Sequence, residues 1–200
     1  ILVMDKSSIR NIRDLKGRKV AFSPPGSTMR TFANIILKSN GVDPGAVTLI
    51  SLAPGVLQEA ILSNQVDAVF TLQPSIIILQ KTGKTRTLVD VPLNQYVLDP
   101  FPGVGVFIRR DSFKDRPDDV AAIVKVFDHA LDDIRVDEAS CRPAISRWTT
   151  LPEDLAMNVP LPTFLKSNEI DTSSIHKLAE ILNFQGEQEL PSIPRADNFV

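Results

Sequence analysis

The chain has 200 residues, 43% of them hydrophobic and 23% charged, the make-up of a globular chain able to bury a core. Its formal net charge of −2 argues against nucleic acid or an anionic membrane surface as the main partner. No apolar run approaches the roughly 20 residues that a membrane helix needs, and the single cysteine, Cys141, excludes an internal disulfide framework and a cysteine-based metal cluster.

The opening residues, ILVM, read as a strand. A bare apolar strand needs a neighbour, so the expectation is that Ile1 is not the natural start and that a segment upstream is missing. Residues 8–15 (SIRNIRDL) lead through a linker into a short helical turn that stops at Gly17.

Residues 18–23 form the next predicted strand, and 23–26 a tight loop. A helix then opens at Ser27 or Thr28, with Met29, Phe32, Ile35 and Ile36 at helical spacing. It stops at Asn40-Gly41, a pair suited to a left-handed C-terminal cap. A strand that delivers Gly-Ser-Thr to the first turn of a helix leaves backbone N–H groups and two hydroxyls facing the loop, a place for a carboxylate, sulfonate or phosphate. Ser and Thr there are equally ordinary helix caps. The glycines are too few for a dinucleotide fingerprint, and no GxxxxGK[ST] follows.

The pattern then alternates. Residues 42–45 make a turn, 47–52 a strand, and 56–64 a helix with Leu57, Ala60 and Ile61 on one face. Residues 66–70 make a strand, 74–81 a helix closed by Gly83, and 85–89 a further strand. This order predicts an α/β lobe with a parallel sheet and crossover helices. Ligands in such sheets bind at the carboxyl ends of the strands, so the loops at 23–28, 51–53 and 71–73 should face one crevice.

A Pro- and Gly-rich passage, 92–103, leads to a predicted strand at 104–109, and the character then changes to helical. Residues 117–136 predict a long helix whose stripe of Val120, Ile123, Val124, Phe127, Leu131 and Ile134 is assigned to core, as is Trp148. Shorter helices follow at 138–148 and 152–157. Another runs over 171–183, capped by Asp171 or Thr172 and burying Ile175, Leu178, Ile181 and Leu182. From Gln185 the chain is polar and is expected along the surface. The acidic pairs Asp118-Asp119, Asp132-Asp133 and Glu153-Asp154 read as solvated helix faces and first turns. His129 and His176 are far apart, and nothing in their surroundings supports a catalytic or metal role.

The order of "IRDLKGRKVAF", the GST loop, "NGVDPGAVTLI", "AILSNQVDAVFTLQP", "GVGVFIRRDSFKDRPDDVAAIVKVFDHAL" and "IDTSSIHKLAEILNFQG" resembles the solute-binding proteins of ABC importers with the type II periplasmic-binding fold. Within them it is most similar to the nitrate, sulfonate, taurine and thiamine-precursor group. The resemblance implies a periplasmic-binding-protein type II-like lobe with a mixed, mostly parallel sheet, plus C-terminal helices of an incomplete first lobe. Residues 10–100 would be the second, ligand-binding lobe. Residues 1–9 and 101–110 would cross between lobes, and 111–200 would be helices of the first lobe.

The same resemblance implies the ligand site. The strand-to-helix loop contributes Ser23, Pro25, Gly26, Ser27 and Thr28. Arg30 either pairs with an acidic ligand or stands exposed on the helix. Many relatives carry an aromatic and often an acidic residue before the proline of the later loop, where this chain has Leu72 and Gln73, followed by Pro74. That weakens the case for an amino-group ligand and leaves Gln73 one hydrogen bond to give or take. Tyr96, the single tyrosine, and Phe101 either wall the crevice or pack internally.

The implied function is capture of a small organic anion or heterocyclic precursor between two lobes and delivery to a membrane permease. It takes place outside the cytoplasmic membrane, with no catalytic residue, cofactor or metal. A lone second lobe with orphaned helices is expected to expose apolar surface and to self-associate. Two alternatives share the fold: a sensory ligand-binding domain of a larger receptor, and an enzyme resembling a thiamine-pyrimidine synthase. The latter relies on an active-site histidine and a cysteine-rich motif, which this chain lacks.

Overall fold

The computed structural model describes residues 1–23 and 27–184. In chain order its elements are β1 (Leu2–Met4), β2 (Lys19–Phe22), α1 (Met29–Ser39), β3 (Thr48–Ser51), α2 (Pro54–Leu62), β4 (Ala68–Phe70), α3 (Ser75–Lys81), β5 (Thr85–Thr87) and α4 (Pro92–Tyr96). Then come α5 (Arg110–Asp115), α6 (Pro117–Val136), α7 (Glu138–Cys141), α8 (Pro143–Trp148), α9 (Glu153–Ala156) and α10 (Thr172–Phe184). Two units emerge: Ile1–Phe101 with the chain from Ser173, and Pro102–Thr172.

The first unit is built on one five-stranded sheet ordered β3-β2-β4-β1-β5. β2 runs parallel to β3 and β4, while β1 runs antiparallel to both β4 and β5. Alternation of strand and helix predicted a parallel sheet, and the family resemblance a mixed, mostly parallel one. The observed sheet is mixed, because β1 enters ahead of the first crossover and its direction is not set by one.

Side chains alternate across this sheet with period two. Val3, Val20, Phe22, Ala68 and Phe70 face Met29, Phe32, Ile35, Ile36 and Leu37 of α1, with Leu178, Ile181 and Leu182 of α10 packed on the same cluster. Leu2, Ala21 and Val69 face the other way, onto Leu57, Ala60 and Ile61 of α2 and Leu79 of α3. Each such large side chain stabilises the fold by about 1.5–3 kcal/mol when fully buried.

α1 ends as its sequence dictates. Gly41 takes φ +72°, the Val42 amide reaches the Leu37 carbonyl (2.9 Å), and the Gly41 amide reaches that of Lys38 (3.0 Å). This pairing closes the last orphan carbonyls of a helix. The turn ahead of β2 is fixed in a similar way: the Asp14 carboxylate accepts the amides of Arg10 (2.7 Å) and Asn11 (3.1 Å), which holds it below its ordinary pKa.

The second unit is helical. Asp128, Asp132 and Arg135 lie along one side of α6 and clasp the segment around Lys166. Arg135 binds Glu169 (2.5 Å) and the Phe164 carbonyl (2.8 Å), Lys166 binds Asp132 (2.7 Å), and the Ser167 hydroxyl donates to Asp128 (2.6 Å).

Four sequence expectations for this unit are corrected. Residues 104–109 form no strand; Val104, Val106 and Phe107 are exposed, and no strand among the described residues pairs with them. The core stripe of α6 is only partly covered: Val120 is buried, Val124, Leu131 and Ile134 are half-buried, and Ile123 and Phe127 are each 48% exposed. Trp148 is 79% exposed, with the Arg147 guanidinium 5.5 Å from its ring centroid. A helical stripe becomes core only where a second surface covers it, and among the described residues that cover is incomplete over Ile123 and Phe127. The stretch predicted as one helix over 138–148 divides into α7 and α8, with Pro143 opening the latter.

Candidate functional site

The carboxyl ends of the parallel strands are held level by backbone hydrogen bonds. Phe22 pairs with Ser51 on one side and with Phe70 on the other. One step further, the Ser23 amide donates to the Phe70 carbonyl (3.3 Å) and the Leu52 amide to the Phe22 carbonyl (3.0 Å). The three loops read from the sequence therefore leave the sheet side by side, at 23, 52 and 71.

Ser23 is 2% exposed, and its Oγ has no hydrogen-bond partner among the described residues. A buried hydroxyl without a partner costs about 1–3 kcal/mol, so it needs an explanation. Thr71, just past the end of β4, and Ser75, the first residue of α3, are also buried. Gln58 of α2 donates from Nε2 to the Ser75 hydroxyl (3.2 Å), linking the helices that cover this face.

Ser27 and Thr28 stand at the start of α1. The Ser27 hydroxyl accepts the Met29 amide (3.3 Å), and Thr28 is the cap residue, its side chain making no capping hydrogen bond. The first turn of α1 carries no acidic side chain, nor do those of α2 and α3. No acidic side chain in these first turns offsets the positive helix ends, which favours an anion. Arg30 is exposed in that first turn and makes no ion pair among the described residues. Pro25 and Gly26 lie outside the described residues.

The Gln73 side-chain oxygen accepts the Ile77 amide (3.1 Å), capping α3, and its NH2 remains as a donor. Leu72 is 47% exposed at the same loop. Tyr96 and Phe101 are brought elsewhere, onto the cluster around α1. The Phe101 ring meets Phe32 edge-on, centroids 5.3 Å apart and planes at 87°. Phe32 is one turn beyond Thr28, so Phe101 braces the start of α1 from its packed side. The sequence reading missed Gln58 and Ser75. Their signal, a polar residue within an apolar helix, acquires meaning only when α2 and α3 are known to touch.

Among the described residues no three His, Cys, Asp or Glu side chains converge as metal ligands. No helix among them is long and apolar enough to cross a membrane.

The family model described as NMT1/THI5 like matches residues 1–138. The chain belongs to that family. No curated protein matches it. Solved structures agree on the fold. The periplasmic aliphatic sulphonate binding protein SsuA from Escherichia coli is similar at a TM-score of 0.77 and 20% identity, over 100% of this chain and 63% of that one. The alkanesulfonate-binding protein SsuA from Xanthomonas axonopodis pv. citri, bound to MOPS, is similar at 0.66 and 20%, over 98% and 65%. The desulfurization enzyme DSZB is similar at 0.65 and 16%, over 100% and 72%. This NMT1/THI5-like chain thus spans less than two thirds of the length of the two SsuA proteins, and its fold is that of an SsuA-like periplasmic-binding lobe.

Proposed function

We propose that the chain is the ligand-binding lobe of a solute-binding protein that serves an ABC importer outside the cytoplasmic membrane. The observation that carries this reading is the orphaned hydroxyl of Ser23 at the carboxyl end of β2, level with two further strand-end loops. Hydroxyls, backbone N–H groups and an unopposed helix start suit an oxyanion such as a sulfonate or nitrate, or the polar edge of a heterocyclic precursor. With Gln73 where an acid would recognise an amine, a simple amino-group ligand is disfavoured.

The incompletely covered stripe of α6 supports a second part of the reading. The helices of 111–172 would belong with a first lobe, whose surface Ile123 and Phe127 would meet. No bond is made or broken in this function. The likeness to DSZB keeps an enzyme on the same fold as the alternative. Against it stands the crevice inventory: no histidine or cysteine falls on the loops at 23–28, 51–53 or 71–73.

Native mass spectrometry of the full gene product, followed by calorimetric titration with MOPS, ethanesulfonate and nitrate, tests the proposal. Saturable one-to-one binding without turnover is the expected result. Ligand conversion, or no binding by any anion or retained solute, overturns it.

A further inference from the structure

Gln58 is a half-buried amide on a helix that packs Leu57, Ala60 and Ile61 into the core. A polar group so placed must replace the hydrogen bonds it made to water. Its Nε2 donates to the Ser75 hydroxyl (3.2 Å), and Ser75 is itself 4% exposed.

Ser75 closes the loop that leaves β4, Thr71 to Pro74. The near end of that loop is fixed by the sheet, because the Ser23 amide donates to the Phe70 carbonyl (3.3 Å). At the far end, Gln58 supplies a side-chain bond from another element.

Gln73 rides on the same turn. Its side-chain oxygen accepts the Ile77 amide (3.1 Å), and the Ile78 amide donates to the Pro74 carbonyl (3.1 Å). The place of the Gln73 NH2 therefore depends on how the turn over 73–78 is set against the rest of the lobe. Ser75 lies inside that turn, and Gln58 pins it to α2.

α2 is a firm anchor. The Leu52 amide holds its entry to β2 through the Phe22 carbonyl (3.0 Å), and the Leu57 amide bonds the Ala53 carbonyl (2.8 Å). Leu57 and Ile61 are fully buried in one cluster with Leu79 of α3. A continuous run of bonds thus leads from β2 through α2 and Gln58 to Ser75 and Gln73.

We infer that Gln58 is a positioning residue of the candidate crevice: through Ser75 it fixes the turn that carries Gln73, and so aims the Gln73 NH2 at the ligand anion. The ligand in this statement rests on the transport reading, whereas the hold of Gln58 on the turn belongs to the unliganded chain. Donors held in place in this way lose little freedom when a ligand arrives.

Amide hydrogen exchange by 15N NMR and calorimetric titration with MOPS, ethanesulfonate and nitrate, both on the full gene product, test it. The main variant is Gln58→Leu/Ser75→Ala. Replacing both partners by apolar groups is close to neutral for stability, whereas removing one leaves the other unpaired. Its melting temperature is expected within about 2 °C of the parent. The Ile77 and Ile78 amides exchange about three- to tenfold faster, the scale of one neutral hydrogen bond. The Phe32 amide, which closes the first turn of α1 on the Thr28 carbonyl (3.0 Å), is the matched control and does not change. Affinity for the anion that the parent takes up falls about three- to tenfold. Gln58→Glu, with Ser75 intact, offers an oxygen to which the Ser75 hydroxyl can donate, and it restores the parental exchange.

Unchanged exchange at Ile77 and Ile78, an equal rise at Phe32, or faster exchange with unchanged affinity overturns the inference. Should the double variant fold poorly, Ser75→Ala alone carries the same expectation, since the half-buried Gln58 can turn to water. A parent that takes up no anion defeats the transport reading instead, and the exchange result alone then decides whether Gln58 holds the turn.

Discussion

The Ser23 amide donates to the Phe70 carbonyl while the Ser23 hydroxyl, three bonds away, is buried with no partner among the described residues. Ser23 is 2% exposed, so no water compensates the hydroxyl where it stands. Ser23→Ala should therefore separate stability from function. Removing an unpaired buried hydroxyl is expected to raise stability by about 1 kcal/mol. A ligand oxyanion that used it would bind about tenfold more weakly. Urea denaturation and calorimetric titration of the same variant check both, and unchanged affinity would remove Ser23 from the site.

Gly41 is the hinge of the α1 cap, with φ +72° and open space around a would-be Cβ. Gly41→Ala meets no clash, and its cost is the left-handed backbone alone, about 1–2 kcal/mol. Loss of that size in denaturant, with m unchanged, is the expected outcome. Asn40 should matter separately, because its side-chain amide donates to the Ile36 carbonyl (2.8 Å).

Those two positions also mark what could be read from the sequence. The Asn40-Gly41 stop, the apolar spacing of α1 and the alternation of β2, α1, β3, α2 and β4 are local signals, and the observed elements fall where they point. The direction of β1 was not legible, since nothing in LVM says whether its neighbour runs up or down. Nor was the fate of Ile123, Phe127 and Trp148. Periodicity shows that a stripe can be buried, but only a partner surface buries it. At the site the loops were legible as strand ends. The use of the Gln73 oxygen as a helix cap and the Gln58–Ser75 bond were not, because each depends on a contact made after folding.

The α6 stripe yields a prediction of its own. Phe127 is half exposed, so Phe127→Ser should change the stability of this 200-residue chain by no more than about 0.5 kcal/mol, as surface substitutions do. If the stripe drives self-association, the same change lowers the mass seen by light scattering. A chain that is already strictly monomeric, or a large loss of stability in the variant, would show that the stripe is not a free surface.

The clasp on α6 sets a pH dependence with a definite sign. Glu169 is held down to about 2 from its usual value, first by the Arg135 guanidinium and then by the Lys166 amide (2.9 Å). A carboxylate whose folded pKa is depressed stabilises the fold fully above its unfolded value. That contribution declines as the pH falls below about 4.5 and is gone once it passes about 2. Asp128 shifts in the same direction through its two bonds to Ser167, so the clasp loosens as one unit in acid. Because these groups are exposed, added salt should weaken the clasp at neutral pH as well. Carbon-detected NMR titration of the Glu169 carboxyl should give a midpoint near 2, and Arg135→Ala should move that midpoint upward. A Glu169 midpoint in the ordinary carboxylate range in the unaltered protein would mean that Arg135 does not hold it in solution.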